Sequence, residues 1–333
     1  MAIRMTHKAI SKCVMVRSLA TVLLALVSFT VHALNNEKNM PQQVTLELGK
    51  KGPASFKQIG TITDHYTAGE VAGFLDLNWH PKQLGIVTIR HNRHGITFPH
   101  IFHVMGTMWA DYPNEGVTSI KLTGGISSTE FVRHLEAYDL WLKLLNQIKD
   151  AGWQPYIELS SERLKGKEAL RYLVDNKNVD IVKDPWTVPD YVSWRSIMSG
   201  PDPFLIFYQD GVLMLITFMQ TISSQEDFDS KNIKLDYQEW GQYMMDIEFE
   251  TVRFSIREQM HNEFIPDNLD IDKFGEEINR IDADLLGNWP RYLKRQQAER
   301  AKREKKLVDN GYKIDTEHKD PDVLPYLQKE PKF

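Results

Sequence analysis

The sequence predicts an α+β fold built from two similar modules, each an antiparallel sheet packed against a long amphipathic helix. Three observations carry this. Short runs alternate apolar and polar residues, two long segments repeat apolar residues at helical spacing, and three anchors recur in one order. The anchors pair Leu75-Asp76-Leu77-Asn78-Trp79 with Met245-Asp246-Ile247-Glu248-Phe249, Val87-Thr88-Ile89-Arg90 with Phe254-Ser255-Ile256-Arg257, and Asp150-Ala151-Gly152-Trp153 with Asp309-Asn310-Gly311-Tyr312. The expected organisation is a signal peptide over residues 1–33, a first α+β domain over 34–165, a connection over 166–203 and a second α+β domain over 204–333. Chance recurrence of strands and glycine-terminated helices is the competing reading.

The first segment has the layout of a secretory signal peptide. Arg4, Lys8, Lys12 and Arg17 form a basic flank, Leu19 to Val31 is apolar and uncharged, and Val31-His32-Ala33 ends on a small residue. The apolar run is shorter than the roughly 20 residues a spanning helix needs. Cleavage and release into the periplasm, without stable membrane insertion, is therefore expected. Met15 offers a second start with a complete signal of its own. The only cysteine, Cys13, lies before the apolar run, so the chain after residue 33 has no thiol for a disulfide, a catalytic thiolate or a Cys-ligated metal. No Asn-x-Ser/Thr sequon occurs, which fits a bacterial periplasm. Without residues 1–33 the chain carries 36 Lys and Arg against 45 Asp and Glu, a formal charge of −9. That balance argues against nucleic acid as a partner and for a cationic one.

Along the chain, Val44, Leu46 and Leu48 alternate as a strand does, and apolar-rich runs at 72–79, 85–90 and 96–104 read as a meander. Ser127-Ser128-Thr129-Glu130 has the capping-box pattern, and Phe131, Leu135, Tyr138, Leu142, Leu145 and Ile148 follow at helical spacing, predicting a helix over 128–150 stopped by Gly152. Trp153 to Ile157 resumes an extended pattern at a sheet edge, because Pro155 cannot donate to a ladder. A short helix is expected around 167–174, then an irregular Pro/Trp-rich passage over 184–203. Phe204–Tyr208 and Val212–Phe218 flank the turn Gln209-Asp210-Gly211 as a hairpin, and a further strand pair is expected at 243–249 and 252–258. Phe274, Ile278, Ile281 and Leu285 predict a second amphipathic helix, interrupted at Gly287-Asn288-Trp289-Pro290, continuing as a basic helix to Val308 and ending at Asn310-Gly311.

Five of the eleven histidines, His80, His91, His94, His100 and His103, fall within one stretch. Imidazole ligates zinc, copper and nickel, but residues three apart on a strand point to opposite faces, so only a turn at Asn92-Arg93 can make one pair converge. Asp76 and Asp246 are expected on the face opposite the core, as solvated strand residues, and Leu122-Thr123-Gly124-Gly125 as a turn before the capped helix. No Gly-x-Ser-x-Gly, His-Glu-x-x-His, Ser-x-x-Lys or Gly-rich phosphate loop is present. Trp109, Tyr112, Trp186, Tyr191, Trp194 and Trp240 fall in loop-like passages, where aromatics anchor either a partner or the loop itself. The acidic stretch 263–284 and the basic stretch 291–306 suit a charge-balanced helix pair.

The sequence thus assigns no catalytic, cofactor or metal residue. The expected function is a soluble, non-enzymatic periplasmic binding protein, an inhibitor or immunity-type protein that captures a toxic or lytic effector. The alternatives are an envelope hydrolase using His91 or His94 with Asp111 or Glu115, and an envelope assembly factor.

Overall fold

The computed structural model describes residues 40–59, 72–176, 181–200, 202–222, 224–266, 269 and 271–328. The expected signal peptide and the Met15 start lie outside the described residues, as does the side chain of Phe274. No described helix is long and apolar enough to cross a membrane.

The core of the chain is one mixed nine-stranded sheet. Its strands are β1 (Gln43–Glu47), β2 (Ala72–Asn78), β3 (Gly85–His91), β4 (His94–Trp109), β5 (Val117–Gly125), β7 (Gln154–Pro155), β8 (Phe204–Gln209), β9 (Val212–Gln220) and β11 (Tyr243–Thr251), in the order β1-β3-β4-β5-β11-β9-β8-β7 with β2 also on β4. β1 runs parallel to β3 and the remaining pairs are antiparallel. The two-residue strands β6 (Val132–Arg133) and β10 (Trp240–Gly241) pair separately.

This topology does not confirm two similar modules. β11, from the second half, lies between β5 and β9, so both halves feed one sheet, and residues 41–333 form one compact unit. The register shows how the halves fuse. Leu77, Val104, Leu122, Ile247, Ile216 and Leu205 follow one another across six strands as a continuous buried row. One residue along, Asn78, His103, Thr123, Asp246, Thr217 and Phe204 make the next row on the opposite face. Period-two alternation therefore defines a core face and an outer face for the whole sheet.

Helices cover both. On the core face α1 (Gly52–Lys57) sends Phe56 against Gly106, where a Cβ would come within 2.6 Å of the ring. The helices α2 (His134–Asp150) and α4 (Tyr191–Met198) cover this face too, with Trp194 on Phe218 and, after α2, Trp153 on Phe249. α3 (Lys167–Asp175) and α5 (Gln225–Ser230) are short. On the outer face, β8 and β9 are covered by α6 (Val252–Phe264), α7 (Ile271–Asp282), α8 (Leu285–Asp309) and α9 (Leu324–Leu327), with Ile206 and Leu213 packed among Ile256, Met260, Trp289 and Tyr292.

Several expectations hold: β1, the 204–218 hairpin, the helix at 167–175, the sheet-edge place of Pro155 and the stop at Gly311. Asp210 (φ 43°) and Gly211 (φ 84°) give the hairpin the positive backbone angles a tight two-residue turn demands. Others are corrected. The runs at 72–104 are not a meander, because the 16-residue β4 carries β2 and β3 end to end along one side. The Ser127–Glu130 box caps nothing: Ser127 and Thr129 bond to each other and to the backbone locally, Val132-Arg133 pairs with β10, and the helix starts at His134. Residues 252–258 are helix, not strand. Thr251 caps it by accepting from the Phe254 N–H, and Ser255 and Arg257 are as buried as Phe254 and Ile256, which a one-sided strand does not allow. The passage 184–203 contains α4, capped by Asp190. The break before the basic helix falls at Asp284, whose side chain caps α8, and Pro290 lies inside the helix.

Candidate functional site

The histidine-rich stretch does not gather. The turn Asn92-Arg93 does bring His91 and His94 opposite each other, ring centroids 5.5 Å apart, on the core face. His91 is buried against Trp153, and burial, with His94 beside it, pushes its pKa down to about 4 against the raising effect of Asp210 and the Gln209 backbone. His94 Nε2 lies 3.6 Å from Asp210 at the tip of the neighbouring hairpin. His103 sits on the outer face, 3.3 Å from Asp76, and His80 is exposed. Among the described residues no three His, Cys, Asp or Glu are placed to hold a metal ion.

The carboxylates expected beside His91 or His94 are elsewhere. Asp111 is exposed in the turn after β4, and Glu115 pairs with Arg253 and Arg257. Asp76 and Asp246 do share the outer face, as expected, but each has a side-chain partner: Asp76 contacts His103 at 3.3 Å and Asp246 pairs with Lys121 at 2.9 Å. Leu122-Thr123-Gly124-Gly125 is not a turn before a helix; it lies in β5, with Gly124 pressed against the His100 carbonyl. In the basic helix, Arg300 is buried on Asp320 and on the Ser161 and Glu158 carbonyls, Arg163 reaches Glu304, and Arg295 reaches Glu263.

A charge network the sequence did not announce joins the β4–β5 connection to α6 and α7. Arg257, 1% exposed, binds Glu115, lies 3.6 Å over the Tyr112 ring and approaches Asp282 at 3.4 Å. Arg253 adds a 2.8 Å bond to Glu115, Tyr112 donates to Asp282, and His261 meets Asp282 at 2.8 Å. Burial alone would lower the His261 pKa, but its bonds to Asp282 and Glu258 raise it to about 9. Asp282 is held below its ordinary value by His261 and Tyr112 against the effect of burial. Every charge faces an opposite one, so the arrangement ties loop to helices.

The third cluster is aromatic and reaches the surface. Tyr138 of α2 stacks with Trp141 at 6.3 Å, meets Tyr191 at 5.7 Å and Trp194 at 5.5 Å, and donates to the Pro189 carbonyl at 2.9 Å. Beneath it, Trp194 packs on Phe218 and Tyr243. A hydrogen-bond chain fixes this floor. Arg195 donates to the Tyr243 hydroxyl and to Gln220, the Tyr243 hydroxyl meets His134 Nδ1 at 2.7 Å, and His134 Nε2 meets the Tyr237 carbonyl at 2.7 Å. A carbonyl only accepts, so Nε2 carries a proton and donates it to Tyr237, and burial lowers the His134 pKa.

Around this floor the surface is apolar. Leu135 is 56% exposed, Val188 41% and Val192 76%. Leu135 is one turn before Tyr138 on α2, and Val188 and Val192 flank Pro189, Asp190 and Tyr191 in the chain. Alongside runs a recess lined by Trp141, Pro185, Pro189, Trp194 and Pro203, with a cavity volume of about 20 Å³. That is room for one water or the tip of a side chain, well below the several hundred Å³ of a metabolite site.

Of the loop aromatics singled out from sequence, most serve packing: Trp109 stacks on Phe254, Tyr112 lies in the charge network, Trp186 packs on Phe207, and Trp240 lies under Arg133. Tyr191 alone joins the exposed ledge, with Trp194 as its support. Leu135, Tyr138, Val188 and Val192 went unmarked, the first two because they fit the helical stripe expected to be buried. The buried residues are His134, Ala137, Trp141, Leu144, Leu145 and Ile148, so Leu145 and Ile148 of the expected stripe are buried and Leu135, Tyr138 and Leu142 are not. The surplus width of the apolar arc on α2 was the available signal. Comparison with known protein families, with curated proteins and with solved structures returned no match.

Proposed function

We propose that this chain is an exported, non-enzymatic protein of the periplasm that captures another protein, as an inhibitor or immunity-type protein captures a toxic or lytic effector. One observation carries the reading. Leu135, Val188 and Val192 are exposed on the segments that carry the Tyr138–Tyr191 pair, beside a floor of Trp194 and the His134–Tyr243–Arg195 chain. Clustered exposed apolar and aromatic residues on a preorganised base are what protein interfaces use as anchors. The His/carboxylate groupings weighed for a hydrolase are not assembled, and the recess beside the ledge is too small for a substrate.

The test is co-expression in the periplasm with the products of neighbouring genes, followed by size-exclusion of the purified chain. A stoichiometric complex is expected, weakened at least tenfold by Val192→Glu, which places a charge in the middle of the ledge. Failure of every neighbouring product to form a complex, or a complex indifferent to Val192→Glu and Leu135→Glu, would overturn the reading.

A further inference from the structure

One side of α8 packs on the sheet and its neighbours, and the other turns to water along the whole helix. That outer side is cationic. Arg291, Lys294, Arg295, Lys302, Lys305 and Lys306 are exposed on it, against Glu299 and Asp309. Three of the six cations have an acidic partner: Arg295 meets Glu263, Lys302 meets Glu299, and Lys305 meets Asp309. Exposed pairs of this kind are weak, so Lys302 and Lys305 exchange their partners for another anion easily. Arg291 lies over the Phe264 ring at 4.5 Å and keeps its charge, and Lys294 and Lys306 meet no carboxylate among the described residues. Beside the cations runs an apolar line. Leu286 is 43% exposed and Val308 54%, with Pro290 and Ala301 exposed between them. At about 100° per residue these four fall within roughly 60° of the helix circumference, and the six cations fill the next roughly 140°.

We infer that the outer face of α8 adsorbs to an anionic phospholipid bilayer, with its cations at the headgroups and its apolar line at their inner boundary. A helix that lies in the plane of a membrane surface has this build, a Lys/Arg-rich arc adjoining an apolar one. The cations alone would suit any polyanion. The apolar line favours lipid over nucleic acid, because it gains only where hydrocarbon lies next to the charge. The acidity of the chain as a whole does not oppose contact: at physiological salt the screening length is about 8 Å, so carboxylates on the far side of the molecule are hidden from a surface that α8 touches. The carboxylates of α7 lie by the first turns of α8, where Ile278 and Ile281 share a cluster with Leu285 and Trp289. Contact is therefore centred on Lys302, Lys305, Lys306 and Val308. α8 covers the outer face of the sheet, whereas α2 and α4, which carry Tyr138 and Tyr191, cover the core face. A chain held by α8 presents the tyrosine ledge away from the bilayer.

The test uses residues 34–333, which hold the whole compact unit and leave out the apolar run before it. Vesicles of phosphatidylcholine alone are compared with vesicles of phosphatidylcholine and phosphatidylglycerol, and binding is read by co-sedimentation at low and at physiological salt. Binding to the anionic vesicles is expected to be roughly tenfold stronger or more, and to weaken as salt rises. The double variant Lys302→Glu, Lys306→Glu is expected to lose that preference, and Val308→Ser to weaken anionic binding by about threefold. Equal binding to the two vesicles, no binding to either, or an unchanged preference in a double variant whose near-ultraviolet circular dichroism is native would overturn the inference. So would a random-sequence DNA duplex bound as tightly as the anionic vesicles. The vesicle comparison on the unaltered sequence stands even where the variant misfolds. The substituted lysines lie on a different face from the ledge, so the two ideas fail separately. Vesicle binding with no partner complex leaves adsorption and removes protein capture; a partner complex with no vesicle binding does the reverse.

Discussion

At the scale of single residues, the buried charges decide more than any exposed one. Glu115 is the only carboxylate described in contact with both Arg253 and Arg257, and Arg257 has almost no access to water. Glu115→Ala leaves Arg257 with Asp282 as its remaining carboxylate and Arg253 with only the Leu327 and Gln328 carbonyls, and we expect a loss of about 3 kcal/mol in urea unfolding. His261 gives the same network a pH dependence. Its pKa rises from an ordinary 6.5 to about 9 on folding, so its contribution is complete below 6.5 and disappears as pH rises through 9. The denaturation midpoint should fall between neutral and alkaline pH in the native chain and be flatter there in His261→Gln. His91 acts with the opposite sign. Its folded value of about 4 means that stability is retained above 6.5 and lost as pH falls toward 4. His91→Leu should blunt the acid loss, measured as the same midpoint between those limits.

At the scale of elements, α2 shows how a correct helix can be read with its inward face rotated over the first half: Leu145 and Ile148 are buried as expected, Leu135 and Tyr138 are not. The periodicity Leu135, Tyr138, Leu142 and Leu145 found the helix, but Trp141, with Ala137 and Leu144, turns a neighbouring stripe toward the sheet. The two stripes overlap, and choosing between them needs the volumes on the facing surface, which local sequence does not contain. Trp141→Ala should cost about 3–5 kcal/mol, whereas Leu135→Ala should stay within about 0.5 kcal/mol, both by urea denaturation. The reverse order would show the phase to be wrong. The 204–220 hairpin was legible because Asp210-Gly211 admits positive φ and its neighbours alternate. Its glycine has a second constraint that sequence hid: a Cβ there would run into the Tyr326 ring of α9. Gly211→Ala should therefore destabilise by about 1–3 kcal/mol. The strand expected at 252–258 failed for a related reason. Alternation of Phe254, Ser255, Ile256 and Arg257 looks one-sided only until the partners of Arg257 are known, and those lie 142 and 25 positions away in Glu115 and Asp282.

At the scale of the molecule, the central fact is that β11 closes the gap between β5 and β9. A cut after residue 203 parts β5 from β11, and both become open edges with apolar rows exposed. We expect neither 34–203 nor 204–333 to show a cooperative urea transition alone, while co-expressed halves recover one, followed by near-ultraviolet circular dichroism. Two independent transitions in the separate halves would restore the modular view. The candidate ledge is likewise a product of the whole: Tyr138 and Leu135 come from α2, Val188 to Val192 from the passage read as irregular, and its floor from β9 and β11.

The sequence by itself determined the α+β class, the alternation in the strands it marked, the helices α2, α3, α7 and α8, the turns at Asn92-Arg93 and Asp210-Gly211, and the absence of a cysteine beyond residue 33. These depend on local backbone preference and composition, which neighbouring residues carry between them. Only the tertiary structure decided that the halves share one sheet, which residues of α2 are buried, where His91, His94 and His103 point, and that Tyr138 and Tyr191 meet over Trp194. Those outcomes depend on register and packing between residues far apart in the chain, where complementary volume and charge select the partner and no local pattern records the choice.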